Sequence, residues 1–317
     1  MQYIAKMASI KYFDIMRDVI NTSIKSIADM RGISLEEAYS EVVSYLIKNS
    51  GEWNSGRQPN INYKDPLCRI AYLYGIVPAN ANLLEFVFEW DHELEAYMDK
   101  IQTENGEVGI CAFGGGPGTE LLGLAKRIET RVRIGRNKDQ TSLNFLLLDQ
   151  VNEWMDSWYS IQREINSRFK RSFGPRKNNW PLITSGNSCS VDVTHTEHFG
   201  NWGAVFDKDI YIFSYIISEV FDNHNQLQDF VSKMSTQAPD GSKFLFIDRW
   251  GQKWKDNVKD TAEKSGINLS GFHDTNDFRH YMSNDEQKTD LGKIYIDVGR
   301  SPRTTWNAFW AVGTKES

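Results

Sequence analysis

The chain has 317 residues, 40% hydrophobic and 25% charged, a globular balance whose length fits two domains or one large domain with an extension. A formal charge of −6 argues against whole-surface attraction to nucleic acid, so contact with RNA would need a local basic patch. Three cysteines without paired spacing, Cys68, Cys111 and Cys189, do not make a disulfide framework or a zinc site, and the expected setting is a reducing cytoplasm.

Charges interrupt the apolar residues of the first segment, which is not expected to be a signal peptide. No apolar run approaches the roughly 18 residues of a bilayer span, so no membrane partner is expected. Residues 1 to about 105 read as helical. Ser34-Leu-Glu-Glu37 is a capping box ahead of Ala38-Tyr-Ser-Glu-Val-Val-Ser-Tyr-Leu-Ile, whose apolar positions recur at helical spacing. Gly51 to Asn62 reads as a polar loop and Cys68 to Tyr74 as a short apolar helix interrupted at Val77-Pro78. Asn82-Leu-Leu-Glu85 opens another helix, running to about Ile101.

After residue 107 short apolar runs follow one another: Val108–Phe113, Asn144–Leu148, Ser188–Val193, Asp209–Ser214, Lys243–Asp248, Lys293–Val298 and Asn307–Val312. Helical stretches separate the first several, the rhythm of a mostly parallel sheet. Only Gly299 to Arg303 and its flanks join the last two, too short for a crossover helix, so an antiparallel hairpin is expected. The predicted fold class is α/β. It is a Rossmann-like, seven-stranded, mostly parallel sheet with an antiparallel C-terminal hairpin in residues 106–317, preceded by a helical extension, 1–105, that caps the substrate side.

The run Val108-Gly-Ile-Cys-Ala-Phe-Gly114-Gly115-Gly116-Pro117-Gly118 is a strand entering a bare turn that opens a helix. A dinucleotide fingerprint starting at Gly114 would need glycine at 119, where Thr stands. The spacing present, G-x-G-x-G at Gly114, Gly116 and Gly118, resembles motif I of the class I S-adenosylmethionine (SAM) methyltransferases. With the reversed C-terminal strand pair, the resemblance covers roughly residues 106 to 314. It implies SAM as cofactor, with the backbone of Phe113, Gly114, Gly115, Gly116 and Gly118 passing beneath it. Asp149, ending the second strand beside Gln150, would accept from the ribose hydroxyls; the alternative is an N-cap for the following helix. Asp192 and Val193, at the end of the third strand, would meet the adenine, or Asp192 is a solvent-facing turn residue. The family's acidic residue two places before the first glycine is replaced by Ala112, leaving Glu120 to position the cofactor or merely to complement a helix dipole. Trp154 and Trp158, four apart, either wall the adenine pocket or pack their helix on the sheet.

The acceptor is expected beyond the fourth strand, where Ser214, Tyr215 and Glu219 are the candidate catalytic residues. Neither Asn/Asp-Pro-Pro-Tyr nor Pro-Cys is present there, so amino-methylation of bases and a thiolate route are not indicated. Ser218-Glu219 is similar to the Ser-Glu after that strand in protein arginine methyltransferases, without a clear second acid. His195 and His198 lack the H-E-x-x-H spacing and no metal is expected. Arg163, Arg168, Lys170, Arg171, Arg176 and Lys177 face only Glu164 as a counter-charge, a candidate RNA-contacting strip or a solvated helix end. The acceptor is therefore RNA, protein or a small molecule, and the alternative function is a non-catalytic SAM-fold binding or scaffold module.

Overall fold

The computed structural model describes residues 10–53, 59–135, 140–196, 203–275 and 293–316. Five helices lead: α1 (Tyr12–Arg31), α2 (Leu35–Trp53), α3 (Pro66–Gly75), α4 (Val77–Trp90) and α5 (His92–Asn105). The capping box forms as the sequence predicts: the Glu37 amide donates to Ser34 Oγ at 3.1 Å and the Ser34 amide to Glu37 Oε2 at 2.7 Å. Gly51 and its neighbours through Trp53 extend α2 into the segment expected to be a loop. The helix expected over 82–101 is two helices. It starts earlier, at Val77, because Pro78 suits a first turn, where no partner exists for its missing N–H. It stops at Asp91, whose carboxylate accepts the Leu94 amide at 2.9 Å and starts α5.

The sheet strands are β1 (Val108–Phe113), β2 (Thr141–Asp149), β3 (Leu182–Ser190), β4 (Ile210–Ser214), β5 (Lys243–Arg249), β6 (Ile267–Leu269), β7 (His273–Asp274) and β8 (Ala308–Lys315). Their order is β3-β2-β1-β4-β5-β8-β6, with two-residue β7 also on β8. β1 to β5 are parallel and β8 is antiparallel to its neighbours. The helices between them are α6 (Thr119–Arg133), α7 (Trp154–Phe173), α8 (Ile216–Glu219), α9 (His224–Gln237) and α10 (Gln252–Lys264).

Two strand predictions need correction. Lys293–Val298 is a helix, α11, and the antiparallel partners of β8 are β5, β6 and β7. Ile294 and Val298 are both buried and four apart, so the segment uses its helical spacing against α2 rather than its Ile-Tyr-Ile alternation. The third strand ends at Ser190, opposite Asp149, instead of running through Val193. Asp192 and Val193 therefore lie in the turn after it.

Side chains of successive strand residues alternate between two cores. Ile110, Ala112, Phe145, Leu147, Ile212 and Leu245 face the core shared with α1 to α7. Cys111, Phe113, Leu146, Phe213 and Phe246 face the core beneath α8 to α10. Much of the aromatic content is spent there: Phe113 stacks on Phe213 at 4.6 Å and Phe213 on Phe246 at 5.1 Å, a ladder across three strands.

The helical extension shares the first of these cores, in which Phe13, Met16, Leu84 and Val87 join Leu121 and Ile128 of α6. At Gly123 a Cβ would lie 2.5 Å from the Ala81 carbonyl oxygen, the measure of how closely α4 crosses α6. Ion pairs rim the contact: Arg127 to Glu95 at 2.8 Å and Arg131 to Asp99 at 2.6 Å. No single helix among the described residues is long and apolar enough to cross a membrane.

Candidate functional site

After β1 the chain builds outward through β2 and β3, and β4 returns to the opposite side of β1. The carboxyl ends of β1 and β4 therefore diverge into a crevice, the usual ligand position in such sheets. The glycine turn leaves β1 here. The Gly116 amide donates to Asp149 Oδ2 at 3.0 Å, and the Val151 amide donates to Asp149 Oδ1 at 2.8 Å. Asp149 thus ties the turn to the end of β2. It is not the N-cap of α7, which starts at Trp154. Each of its oxygens keeps lone-pair capacity toward the crevice. Burial pushes its pKa up to about 6, against the pull of the two amides.

Gly118 serves packing. Its φ is +89°, and a Cβ there would lie 2.3 Å from the Trp158 ring. Trp158 is fully buried and lies 5.4 Å from Phe145. Trp154, one turn before it, lies 5.3 Å from Tyr63 and 5.4 Å from Tyr72. The two tryptophans therefore divide the two roles foreseen for them: Trp158 packs the helix and Trp154 walls the crevice.

A cavity of about 200 Å³ occupies the crevice. Gly114, Gly116, Asp149, Gln150, Asp192 and Val193 all line it. Phe113 does not; its ring lies in the core beneath α9. Asp192 is fixed by its own turn, accepting the Thr194 amide at 2.9 Å on Oδ1 and facing His195 Nδ1 at 3.0 Å with Oδ2. Burial opposes its charge, but the Thr194 hydroxyl, the amide and His195 outweigh it and hold the pKa below the usual carboxylate range. His198 lies outside the described residues. Among the described residues no group of three or more His, Cys, Asp or Glu is placed to hold a metal.

Glu120 is only 3% exposed, so it is not a solvated first-turn carboxylate. It shares a void of about 20 Å³ with Gly115, Thr119, Ser214 and Tyr72. Burial raises its pKa to about 7, with a Ser214 hydrogen bond working against the rise. Its Oε2 has no hydrogen-bond partner. Ser214 and Gly115 therefore stand with Glu120 beneath the turn rather than in the open cleft.

A second cavity, about 580 Å³, lies between the extension and the C-terminal segment. Tyr215 and Glu219 line it, and Tyr72 and Glu219 line both cavities. Tyr215 is the one non-glycine with positive φ among the described residues, at +61°, and its buried hydroxyl has no hydrogen-bond partner. Strain of that kind concentrates at functional sites. Burial lifts the Glu219 pKa to about 8, Arg249 lowering it while Asp149 and Asp248 raise it. Ser218, by contrast, is buried, and its amide donates to Asp248 at 3.0 Å.

Sequence reasoning missed Tyr63 and Tyr72 from the extension and Arg249, Arg300 and Arg303 in the second cavity. No local spacing marks them, because only the tertiary fold brings the extension and the loop before β8 to this edge of the sheet. In the basic strip, Arg168 is withdrawn from solvent by Asp18 at 2.6 Å on α1, while Arg163, Lys170, Arg171, Arg176 and Lys177 stay exposed.

No family model and no curated protein sequence matches the chain. It is similar to solved structures titled as methyltransferases. One is a SAM-dependent methyltransferase from Clostridium acetobutylicum, at 9% identity over 75% of this chain and 98% of that one, TM-score 0.40. Another is a SAM-dependent methyltransferase from Methanosarcina mazei, at 10% identity over 66% and 93%, TM-score 0.39. A third is an rRNA methylase from Streptococcus thermophilus, at 9% identity over 71% and 96%, TM-score 0.36.

Proposed function

We propose that the protein is a SAM-dependent methyltransferase, with the cofactor in the first cavity and the acceptor in the second. The observation that carries this reading is the charge of the first cavity. Among the described residues its lining includes three carboxyl groups, Asp149, Asp192 and Glu219, the last largely protonated near neutrality, and no lysine, arginine or histidine. A pyrophosphate would be repelled there; a sulfonium compound would be attracted. The residues fit SAM in further ways. Asp149 has capacity for two ribose hydroxyls, and Gly116 lines the cavity without a side chain.

When bound, SAM supplies a methyl group on a sulfur that is already a good leaving group. The chain then needs to align and desolvate more than to donate protons. Asp149 would orient the ribose and Asp192 the adenine amine. Trp154, Tyr63 and Tyr72 form a tilted aromatic wall that excludes water at the junction of the cavities. Glu219, at that junction and with a pKa of about 8, would accept the proton released by an acceptor hydroxyl or amine in its ionised form, whose share grows as the pH rises toward 8.

The test has two steps. Calorimetric titration with SAM and with S-adenosylhomocysteine should each show one site, and label from methyl-labelled SAM should pass into a component of cell extract. Binding without transfer favours the non-catalytic module. Absence of binding overturns the reading.

A further inference from the structure

The two adjoining cavities carry opposite charge. Among the described residues the first is lined by the carboxyl groups of Asp149, Asp192 and Glu219 and by no basic side chain. Among the described residues the second is lined by three arginines, Arg249, Arg300 and Arg303, against one carboxyl residue, Glu219. Burial keeps Glu219 substantially protonated up to about pH 8, so it offsets little of that positive charge near neutrality. The arginines come from separate segments, Arg249 from the end of β5 and the others from the loop before β8. Arg303 is held in place, its Nε donating to the Thr305 carbonyl at 2.6 Å.

We infer that the second cavity selects an acceptor carrying an oxyanion, a carboxylate or a phosphate, on a small aromatic or apolar body. This rests on the methyltransferase reading. Planar guanidinium groups match such oxyanions in a two-pronged fashion that a single ammonium cannot. Tyr72, Trp250 and Pro302 supply the apolar wall. The volume, about 580 Å³, is that of a small-molecule site rather than of a groove for a chain. The same charges oppose an arginine side chain as acceptor, despite the Ser218-Glu219 likeness. The arrangement also sorts the two ligands: the cation is drawn to one cavity and the anion to its neighbour.

The test uses the full chain and four probes of similar body: benzoate, phenyl phosphate, benzylamine and benzyl alcohol, each titrated at constant ionic strength. At least one oxyanion should bind about tenfold or more tighter than benzylamine. Whichever of benzoate and phenyl phosphate is tighter identifies the oxyanion as carboxylate or phosphate. The double substitution Arg300→Gln, Arg303→Gln should remove that preference while S-adenosylhomocysteine affinity stays within about twofold, which shows that the variant is folded. Benzylamine binding as tightly as the oxyanions, no oxyanion binding, or undiminished oxyanion binding in the double variant overturns the inference. Intact S-adenosylhomocysteine binding beside such a failure leaves the methyltransferase reading standing; its loss in the unaltered protein removes that reading itself.

Discussion

The Asp149 carboxylate accepts the amide of Gly116 at 3.0 Å, so the proposed ribose acceptor and the bare turn are one mechanical unit. Replacing Asp149 by Ala removes the ribose acceptor and the clamp together. Loss of a charged hydrogen-bonding group of this kind is worth about 2 kcal/mol, or roughly thirtyfold in affinity. Calorimetry on Asp149→Ala should show that loss or more for S-adenosylhomocysteine, with unchanged far-ultraviolet circular dichroism. Normal affinity in this variant contradicts the ribose assignment.

Gly118 predicts a stability effect separate from binding. A Cβ there combines left-handed backbone with a 2.3 Å approach to Trp158, so Gly118→Ala should cost at least about 2 kcal/mol in denaturant unfolding. Combined with Trp158→Phe, which removes the ring atoms in the way, the penalty should shrink. An equal penalty in both backgrounds contradicts the packing account.

How much of this was legible in the sequence follows from where each interaction is made. β1 and its turn could be read because six successive apolar residues and three glycines act locally, and Asp149 could be read because it ends the adjacent strand. β3 was misplaced because it is a half-exposed edge strand, Leu-Ile-Thr-Ser-Gly-Asn-Ser-Cys-Ser, whose apolar signal is thin. Lys293–Val298 reads equally as a strand because Ile-Tyr-Ile-Asp-Val satisfies periods of both two and four, and packing against α2 chooses the helix. The Trp154 and Trp158 pair shows the same limit inside the site, since helical spacing places both on one side and only the fold sets Trp158 against Gly118 and Trp154 against Tyr63 and Tyr72. Tyr72, Arg249 and Arg303 had no local signature, because their meeting is a product of the fold.

Glu219 makes stability depend on pH. Its pKa is near 4.5 in an unfolded chain and about 8 in the folded protein, so the folded state holds the proton more tightly. The resulting stabilisation is complete below about pH 4.5 and is lost as the pH rises through about 8. Glu120, raised to about 7, acts in the same direction. The melting temperature of the ligand-free protein should fall between about pH 5 and about pH 8.5, and Glu219→Gln should flatten that fall. A flat or rising profile in the unaltered protein contradicts the buried-carboxyl account.

The extension is predicted to be part of the folding unit. Phe13, Met16, Leu84 and Val87 lie in the same core as Leu121 and Ile128, so a fragment of residues 106–317 exposes that face of the sheet. It should bind a hydrophobic dye and unfold without a sharp transition, in contrast to the full chain. A cooperative melt of the fragment contradicts the shared core.

The most direct measurement is a crystal structure of the full chain with S-adenosylhomocysteine. The account predicts density in the cleft of Gly116, Asp149 and Trp154, the ribose diol on the Asp149 carboxylate and the thioether toward Tyr72 and Glu219. Density at any other place, or a ribose with no contact to Asp149, contradicts it.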